Sequence, residues 1–206
     1  MTSAAKDWDS LYRANDTGWD LRGVTPPLQA LLDRGFLATL GLPKRPRVLV
    51  PGCGRGHDVR ALAAAGCDVT GVDISPTACA ELRSLLALNR VEARVLCRDL
   101  LGLLPELAGS IDLVYEYTCF CAIPIHLRPA YAAAMAGVLA EGGTWLGLVY
   151  PMRPENAGKG GPPFLVTEPD LRETLGRHFV LDEGFEPQQS TERRRGAERW
   201  FLGRKR

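Results

Sequence analysis

The stretch Val48-Leu49-Val50-Pro51-Gly52-Cys53-Gly54-Arg55-Gly56 decides the fold. Its apolar run, bounded by Pro46 and Gly52, reads as a strand of the buried-sheet type. The strand runs straight into three alternate glycines. Val59, Leu62 and Ala63 then recur at helical spacing in His57–Ala65, which stops at Gly66. Asp68–Val72 is a second short strand, and the same alternation continues outward. Ser75-Pro76 starts a helix, with Ser as N-cap and Pro at the first helical position. Ala93–Cys97 and Ile111–Tyr115 are strands. Tyr131, Met135, Val138 and Leu139 share one face of a helix that ends at Gly142-Gly143, and Thr144–Tyr150 follows as a strand. Glu168–Gly176 reads as a short helix. Two strands, about 178–186 and 197–203, close the chain around a hairpin turn at Arg193–Gly196. Strands alternating with helices mean βαβ units and a mostly parallel sheet. The expectation is one α/β domain over residues 1–206, with a seven-stranded sheet, an antiparallel C-terminal hairpin and helices on both faces.

Two segments lie outside that alternation. Residues 7–14 and 27–40 read as helices around a Gly-, Pro- and Asp-containing stretch, so residues 1–40 form an N-terminal helical extension. Pro151–Pro169 holds five prolines and three glycines and must be a loop. Loops of that length in a compact domain are mostly functional or mobile.

Composition limits the function classes. The 206 residues carry 25 Lys+Arg against 24 Asp+Glu, a net charge of +1. That balance gives no field to hold a nucleic acid or an anionic membrane. No apolar run approaches the ~18 residues of a membrane span, and the polar start Met1–Asp9 does not resemble a targeting peptide. The six cysteines lie singly, and Cys119-x-Cys121 lacks the spacing of a metal site, so free thiols and no metal are expected. A cytoplasmic monomer is the corresponding expectation.

The glycine loop has the context of a nucleotide-type site: strand before, helix after, and Asp73 at the end of the next strand, where a carboxylate can accept from ribose hydroxyls. Gly52 and Gly54 allow close approach of a ligand to backbone. The spacing is G-x-G-x-G rather than G-x-G-x-x-G. The longer form brings a helix N-terminus onto a pyrophosphate, whereas the shorter one suits S-adenosylmethionine, which has no phosphate and carries a sulfonium. Asp99, after the third strand, can reach an adenine with Leu100. Tyr117 and Phe120 follow the fourth strand at the edge where open α/β sheets bind ligands. Trp8, Tyr12 and Trp19 sit in the polar extension, where they read as a lid over the cofactor. Glu116 and His126 are possible bases, and Arg128 suits an anion. Tyr117 and Arg128 are the candidates nearest the chemistry, without a certain catalytic residue. Arg193–Arg195 with Arg204–Arg206 reads as a solvated hairpin and tail.

Longer motifs carry a resemblance. They are Trp8-Asp-x-x-Tyr12 with Asp16-Thr-Gly-Trp19-Asp20, Leu49–Asp58, Gly71-Val-Asp-Ile-Ser75, Phe120-Cys-Ala-Ile123, Leu127-Arg-Pro129 and Gly160-Gly-Pro-Pro-Phe164. On these the chain resembles the thiopurine S-methyltransferase superfamily of class I methyltransferases, and within it looks closest to the plant-type thiol and halide enzymes. The resemblance implies a Rossmann-like sheet, S-adenosylmethionine as cofactor, and cofactor contact at Trp8, Trp19, Gly52, Asp73, Asp99, Leu100 and Tyr117. Tyr12 stands where the family often has Trp, and keeps an aromatic face. Thiopurine enzymes commonly have Leu and Glu where this chain has Gly52 and Asp73, which points to the thiol and halide side. The implied acceptor is a small or aromatic thiol or a thiolate-like anion, with halides weaker. The rival readings are a natural-product O- or S-methyltransferase with a bulkier substrate, a nucleic-acid N-methyltransferase and a non-catalytic binding protein. For the nucleic-acid enzyme, Glu116-Tyr-Thr-Cys-Phe120 lacks the Asn/Asp-Pro-Pro-aromatic grip.

Overall fold

Seven strands form one sheet in the order β3-β2-β1-β4-β5-β7-β6. They are β1 (Arg47–Pro51), β2 (Asp68–Asp73), β3 (Arg94–Cys97), β4 (Ile111–Tyr117), β5 (Leu139–Val149), β6 (Phe179–Leu181) and β7 (Arg199–Lys205). The computed structural model describes residues 6–102, 105–153, 155, 158 and 160–206. Residues 1–5 of the expected extension and Pro154 of the proline-rich loop lie outside them. Strands β1 to β5 pair in parallel, and β7 runs antiparallel to both β5 and β6. The order reverses between β1 and β4. Doubly wound sheets take their ligands at such a switch point, beyond the carboxyl ends of the strands.

Alternation within each strand explains the two layers of helices. Val48, Val50, Leu113, Tyr115, Leu146 and Leu148 face one core, packed under α2 (Pro26–Asp33), α4 (His57–Ala64) and α5 (Pro76–Asn89). Leu49, Val114 and Trp145 face the other, under α6 (Arg128–Val138) and α7 (Glu168–Leu175). A strand buried on both faces has no polar alternation to show, which is why β1 is apolar throughout its buried length. The short helices α1 (Trp8–Arg13) and α3 (Phe36–Thr39) complete the set.

The helix at Ser75-Pro76 starts as expected: Ser75 Oγ accepts from the Ala78 amide at 3.1 Å. Several boundaries differ. The single helix expected over 27–40 breaks at Gly35, which is left-handed with φ +65°. The helix through Tyr131 ends at Val138 rather than at Gly142-Gly143. Leu139 already pairs with Ile111, and the register shifts before Leu113, so both glycines lie inside β5. Strand β4 runs on to Tyr117, which places Glu116 in the sheet. The loop after β5 ends earlier than Pro169, because Thr167 caps α7 and Pro169 fits its first turn. The expected strand 178–186 shortens to three residues plus a single bridge between Phe185 and Trp200.

Candidate active site

Each glycine of the loop after β1 is left-handed, and each faces a different neighbour. A Cβ on Gly52 (φ +55°) would stand 2.7 Å from Cys119 Sγ, in the turn after β4. On Gly54 (φ +52°) it would stand 2.6 Å from Tyr12 Oη, in the extension, and on Gly56 (φ +75°) it would overlap Leu82 in α5. The loop is therefore a meeting point of three elements that only hydrogen side chains allow. Beneath it, Asp73 is buried and accepts the Gly54 amide at 2.7 Å and the Ser75 amide at 2.9 Å. Burial pushes its carboxyl pKa up, against those bonds. Asp73 thus shapes the loop in addition to offering a ligand its remaining lone pairs. Its carbonyl receives the Arg98 amide at 2.9 Å, which brings the end of β3 alongside. There Asp99 is exposed and accepts the Leu101 amide at 2.9 Å, and Leu100 is half-buried on the core.

The three lid aromatics come together. Trp8 and Tyr12 each meet Trp19 edge-to-face, with centroids 5.3 Å and 5.7 Å apart, and Trp19 Nε1 donates to Tyr12 Oη at 3.3 Å. The Lys6 ammonium lies 4.9 Å from the Trp8 centroid and the Arg55 guanidinium 5.3 Å from that of Tyr12. The rings already attract cations. Arg55 is the anchor that sequence reading missed. It donates to Asn15 Oδ1 at 3.0 Å, Thr17 Oγ1 at 2.8 Å and Asp20 Oδ2 at 2.7 Å, and also pairs with Glu81. Asp58 receives the Thr25 amide and hydroxyl at 2.8 Å and 2.6 Å, and Asp9 receives the Ser75 hydroxyl and the Thr77 amide at 2.7 Å and 2.9 Å. Both Arg55 and Asp58 stand inside the glycine motif, so their position was the available signal.

Across the switch point, Tyr117 ends β4. Its hydroxyl donates to Glu198 Oε2 at 3.0 Å and accepts from Arg194. Arg194 is 4% exposed, lies 5.0 Å from the centroids of both Tyr117 and Tyr150, and donates to the Trp19 carbonyl at 2.7 Å. This corrects the reading of Arg193–Arg195 as a solvated turn: the middle arginine is buried and joins the C-terminal segment, β4 and the lid. Its signal was Glu198 four positions on, ahead of an apolar strand. Arg128 is also buried, but its Nη atoms donate at 3.3 to 3.4 Å to the carbonyls of Phe164 and Leu165, and its guanidinium lies 4.7 Å from the Phe120 centroid. It tethers the loop after β5, and its Nε has no hydrogen-bond partner among the described residues. His57 Nε2 lies 3.7 Å from Asp20 Oδ1, and His126 is exposed on a 3₁₀ turn. The structure brings neither histidine to Tyr117.

These residues fit S-adenosylmethionine. The left-handed glycine loop follows the first strand at the switch point, the buried carboxylate of Asp73 lies under it, and aromatic rings that already meet cations stand beside it. A family model for thiopurine S-methyltransferase matches residues 3–200. Thiocyanate methyltransferase 1 of Arabidopsis thaliana is 35% identical over 170 residues, 82% of this chain and 70% of that protein. A thiopurine S-methyltransferase of Gluconobacter oxydans is 30% identical over 195 residues, 87% of this chain and 84% of its own length. Among solved structures, one from work on the conversion of a disulfide bond into a thioacetal group during echinomycin biosynthesis has a TM-score of 0.77 at 20% identity. It covers 98% of this chain and 93% of its own, and shows the same fold. With a sheet whose order reverses at the glycine loop, an N-terminal extension docked on that loop, and a family match over nearly its whole length, the chain belongs to the thiopurine S-methyltransferase family.

Proposed function

We propose that this chain transfers the methyl group of S-adenosylmethionine to the sulfur of a small or aromatic thiol or thiolate-like anion, with halides as weaker acceptors, and that the acceptor arrives already ionised. One observation carries the second part. The groups that could take a proton at this edge are hydrogen-bonded elsewhere: Asp73 to two amides, Tyr117 to Arg194 and Glu198, and Glu116 to the Phe120 amide and the Tyr131 hydroxyl. Burial also pushes the Tyr117 phenol up, so it cannot become a base near neutrality. S-adenosylmethionine, when bound, supplies an activated methyl on its sulfonium sulfur. Gly52 and Gly54 would receive it, Asp73, which holds the loop, would offer oxygens to its ribose, and Asp99 and Leu100 would border its adenine. Trp8, Tyr12 and Trp19 exclude water above the reacting atoms, while Tyr117 and Arg194 border the acceptor. Alignment of this kind is worth roughly 7–11 kcal/mol, and a displacement by an anion needs no general base.

The described helices include none long and apolar enough to cross a membrane. A cytoplasmic monomer taking a small-molecule acceptor, with no nucleic-acid or membrane partner, fits the six free cysteines and the near-zero net charge. The test is a methylation panel of thiophenol, hydrosulfide, 6-mercaptopurine, thiocyanate and iodide beside bulky phenols, read by mass spectrometry. S-methyl products from the small sulfur nucleophiles are expected: methyl thioethers from the organic thiols, methanethiol from hydrosulfide and methyl thiocyanate from thiocyanate. Turnover of only the bulky O-nucleophiles would transfer the assignment to natural-product methylation.

A further inference from the structure

Glu116 lies in β4, one residue before Tyr117, and is 1% exposed. Among the described residues no cation pairs with it. Its partners are donors: the Phe120 amide at 2.8 Å to Oε1, the Tyr131 hydroxyl at 2.6 Å to Oε2, and the Cys119 amide. The direction of the second bond is fixed chemically. Trp145 Nε1 can only donate, and it reaches Tyr131 Oη at 3.3 Å, so the phenol proton points at Glu116. An ionised carboxylate accepts from all three donors. A protonated one gives one of its four lone-pair positions to its own hydrogen, loses its charge and accepts from the three donors more weakly.

The turn so held has consequences on both sides. Thr118 has φ +62°, a conformation rarely adopted by a β-branched residue. Past it, Cys119 Sγ lies against Gly52, so the turn touches the glycine loop. The Cys121 carbonyl accepts the Phe164 amide at 2.7 Å, and Phe120 lies under Arg128, which holds the Phe164 and Leu165 carbonyls. The turn thereby joins the cofactor side to the loop after β5.

We propose that Glu116, in its ionised form, is a positioning residue for methyl transfer: it holds Thr118–Phe120 so that Cys119 seats on Gly52 and the Phe164 segment seats on Cys121. This rests on the methyl-transfer reading of the site. Burial outweighs the donors and sets the carboxyl pKa at about 7, so the device operates at neutral pH. The titratable or charged groups around it are Tyr131 and Arg128 from α6 and Cys119 and Cys121 from the turn. From β5 it meets Trp145, which does not titrate. Burial pushes the two thiols and the phenol upward, leaving Glu116 as the one group of this set that changes charge near pH 7.

Thiocyanate and iodide stay anionic between pH 5 and 9, so their methylation rates report on the protein alone. In the wild type kcat is expected to fall about tenfold per pH unit below neutrality. Glu116→Gln should remove that limb and lower the plateau roughly 10–100-fold. Tyr131→Phe, which removes one donor, should move the limb to higher pH. Hydrogen exchange of residues 118–121, corrected for intrinsic rates, needs no turnover: protection should weaken on acidification in the wild type and stay constant in Glu116→Gln. A limb retained in Glu116→Gln, or wild-type protection that ignores pH, overturns the proposal. Should no anion be methylated, the acceptor reading fails and the exchange result alone decides this one.

Discussion

Gly54 stands with φ +52° below the Tyr12 hydroxyl, and a methyl group there would lie 2.6 Å from it. Gly54→Ala should therefore cost about 1–2 kcal/mol of backbone strain and also displace the lid. A scanning melt and calorimetry with S-adenosylhomocysteine are expected to show lower stability and at least ~10-fold weaker binding. Asp73→Asn puts an amide donor where two backbone amides already point. Affinity for cofactor and product alike should fall by about 1.5–3 kcal/mol, since a charged acceptor is lost. An unchanged affinity in a folded variant would remove Asp73 from the site. With thiol acceptors the rate should rise with pH to the thiol's own pKa, because thiolate is the nucleophile. The alanine variants of His57 and His126 should alter the maximal rate by less than ~10-fold, and a 10³-fold loss in either would reveal a general base.

At the scale of elements, the extension behaves as a docked strap held from two sides. Arg55 ties Asn15, Thr17 and Asp20 to the glycine loop, and Arg194 ties the Trp19 carbonyl to the end of β4. Arg194→Ala frees that carbonyl and leaves Tyr117 with Glu198 alone. Tryptic cleavage near Arg22 should accelerate and turnover should fall, whereas Arg194→Lys, which keeps the charge but loses the fork, should be intermediate. Equal cleavage in wild type and Arg194→Ala would show that Arg55 suffices. Deleting residues 1–20 spares Leu28, Ala30 and Leu31, which α2 buries in the core, so the sheet domain should stay folded. The truncated protein should lose turnover and part of its preference for the sulfonium over the neutral product, a term of about 0.5–2 kcal/mol from ring faces. Arg55 already covers Tyr12, so Trp8 and Trp19 should supply most of it.

Across the whole molecule, buried carboxyls set the pH dependence of stability. Burial raises Asp58, Asp73, Glu116 and Glu198 above their ordinary values. A raised carboxyl binds its proton more tightly folded than unfolded, so stability falls as pH climbs from the unfolded pKa through the folded one. Asp112, bonded to Arg47, is held below its ordinary value and contributes stability that is lost on acidification. For Glu116, about 7 in the fold against 4.5 in a free chain, the cost above neutrality is about 3 kcal/mol. Glu116→Gln should recover part of that cost at pH 8 and none at pH 4, raising Tm by roughly 5–10 °C only at the higher pH. A variant that is less stable at pH 8 would mean that the bonds, and not the charge, dominate. The gain in stability with loss of turnover is the trade expected when a strained, charged group serves function.

The parallel sheet, the cofactor loop and Asp73 were legible in the chain because their causes are local. Apolar runs of strand length, glycines that alone tolerate positive φ, and the Ser75-Pro76 cap each act within a few residues. The helix break at Gly35 had a local signal in the glycine itself, which turns left-handed there. The passage of β5 through Gly142-Gly143 was not legible, since pairing with Ile111 overrode a local pattern that continued the helix. Likewise the employment of charges came only from tertiary structure. Arg194 finds partners 77 and 175 positions away, and Glu116 finds Tyr131 from the helix on the far side of its turn. A buried charge is tolerated only when donors or acceptors converge on it, and convergence belongs to the packed fold. The sequence by itself thus determined the strand–glycine loop–helix frame with Asp73 beside it, and the tertiary structure decided which residues hold the extension and the turn after β4 against that loop.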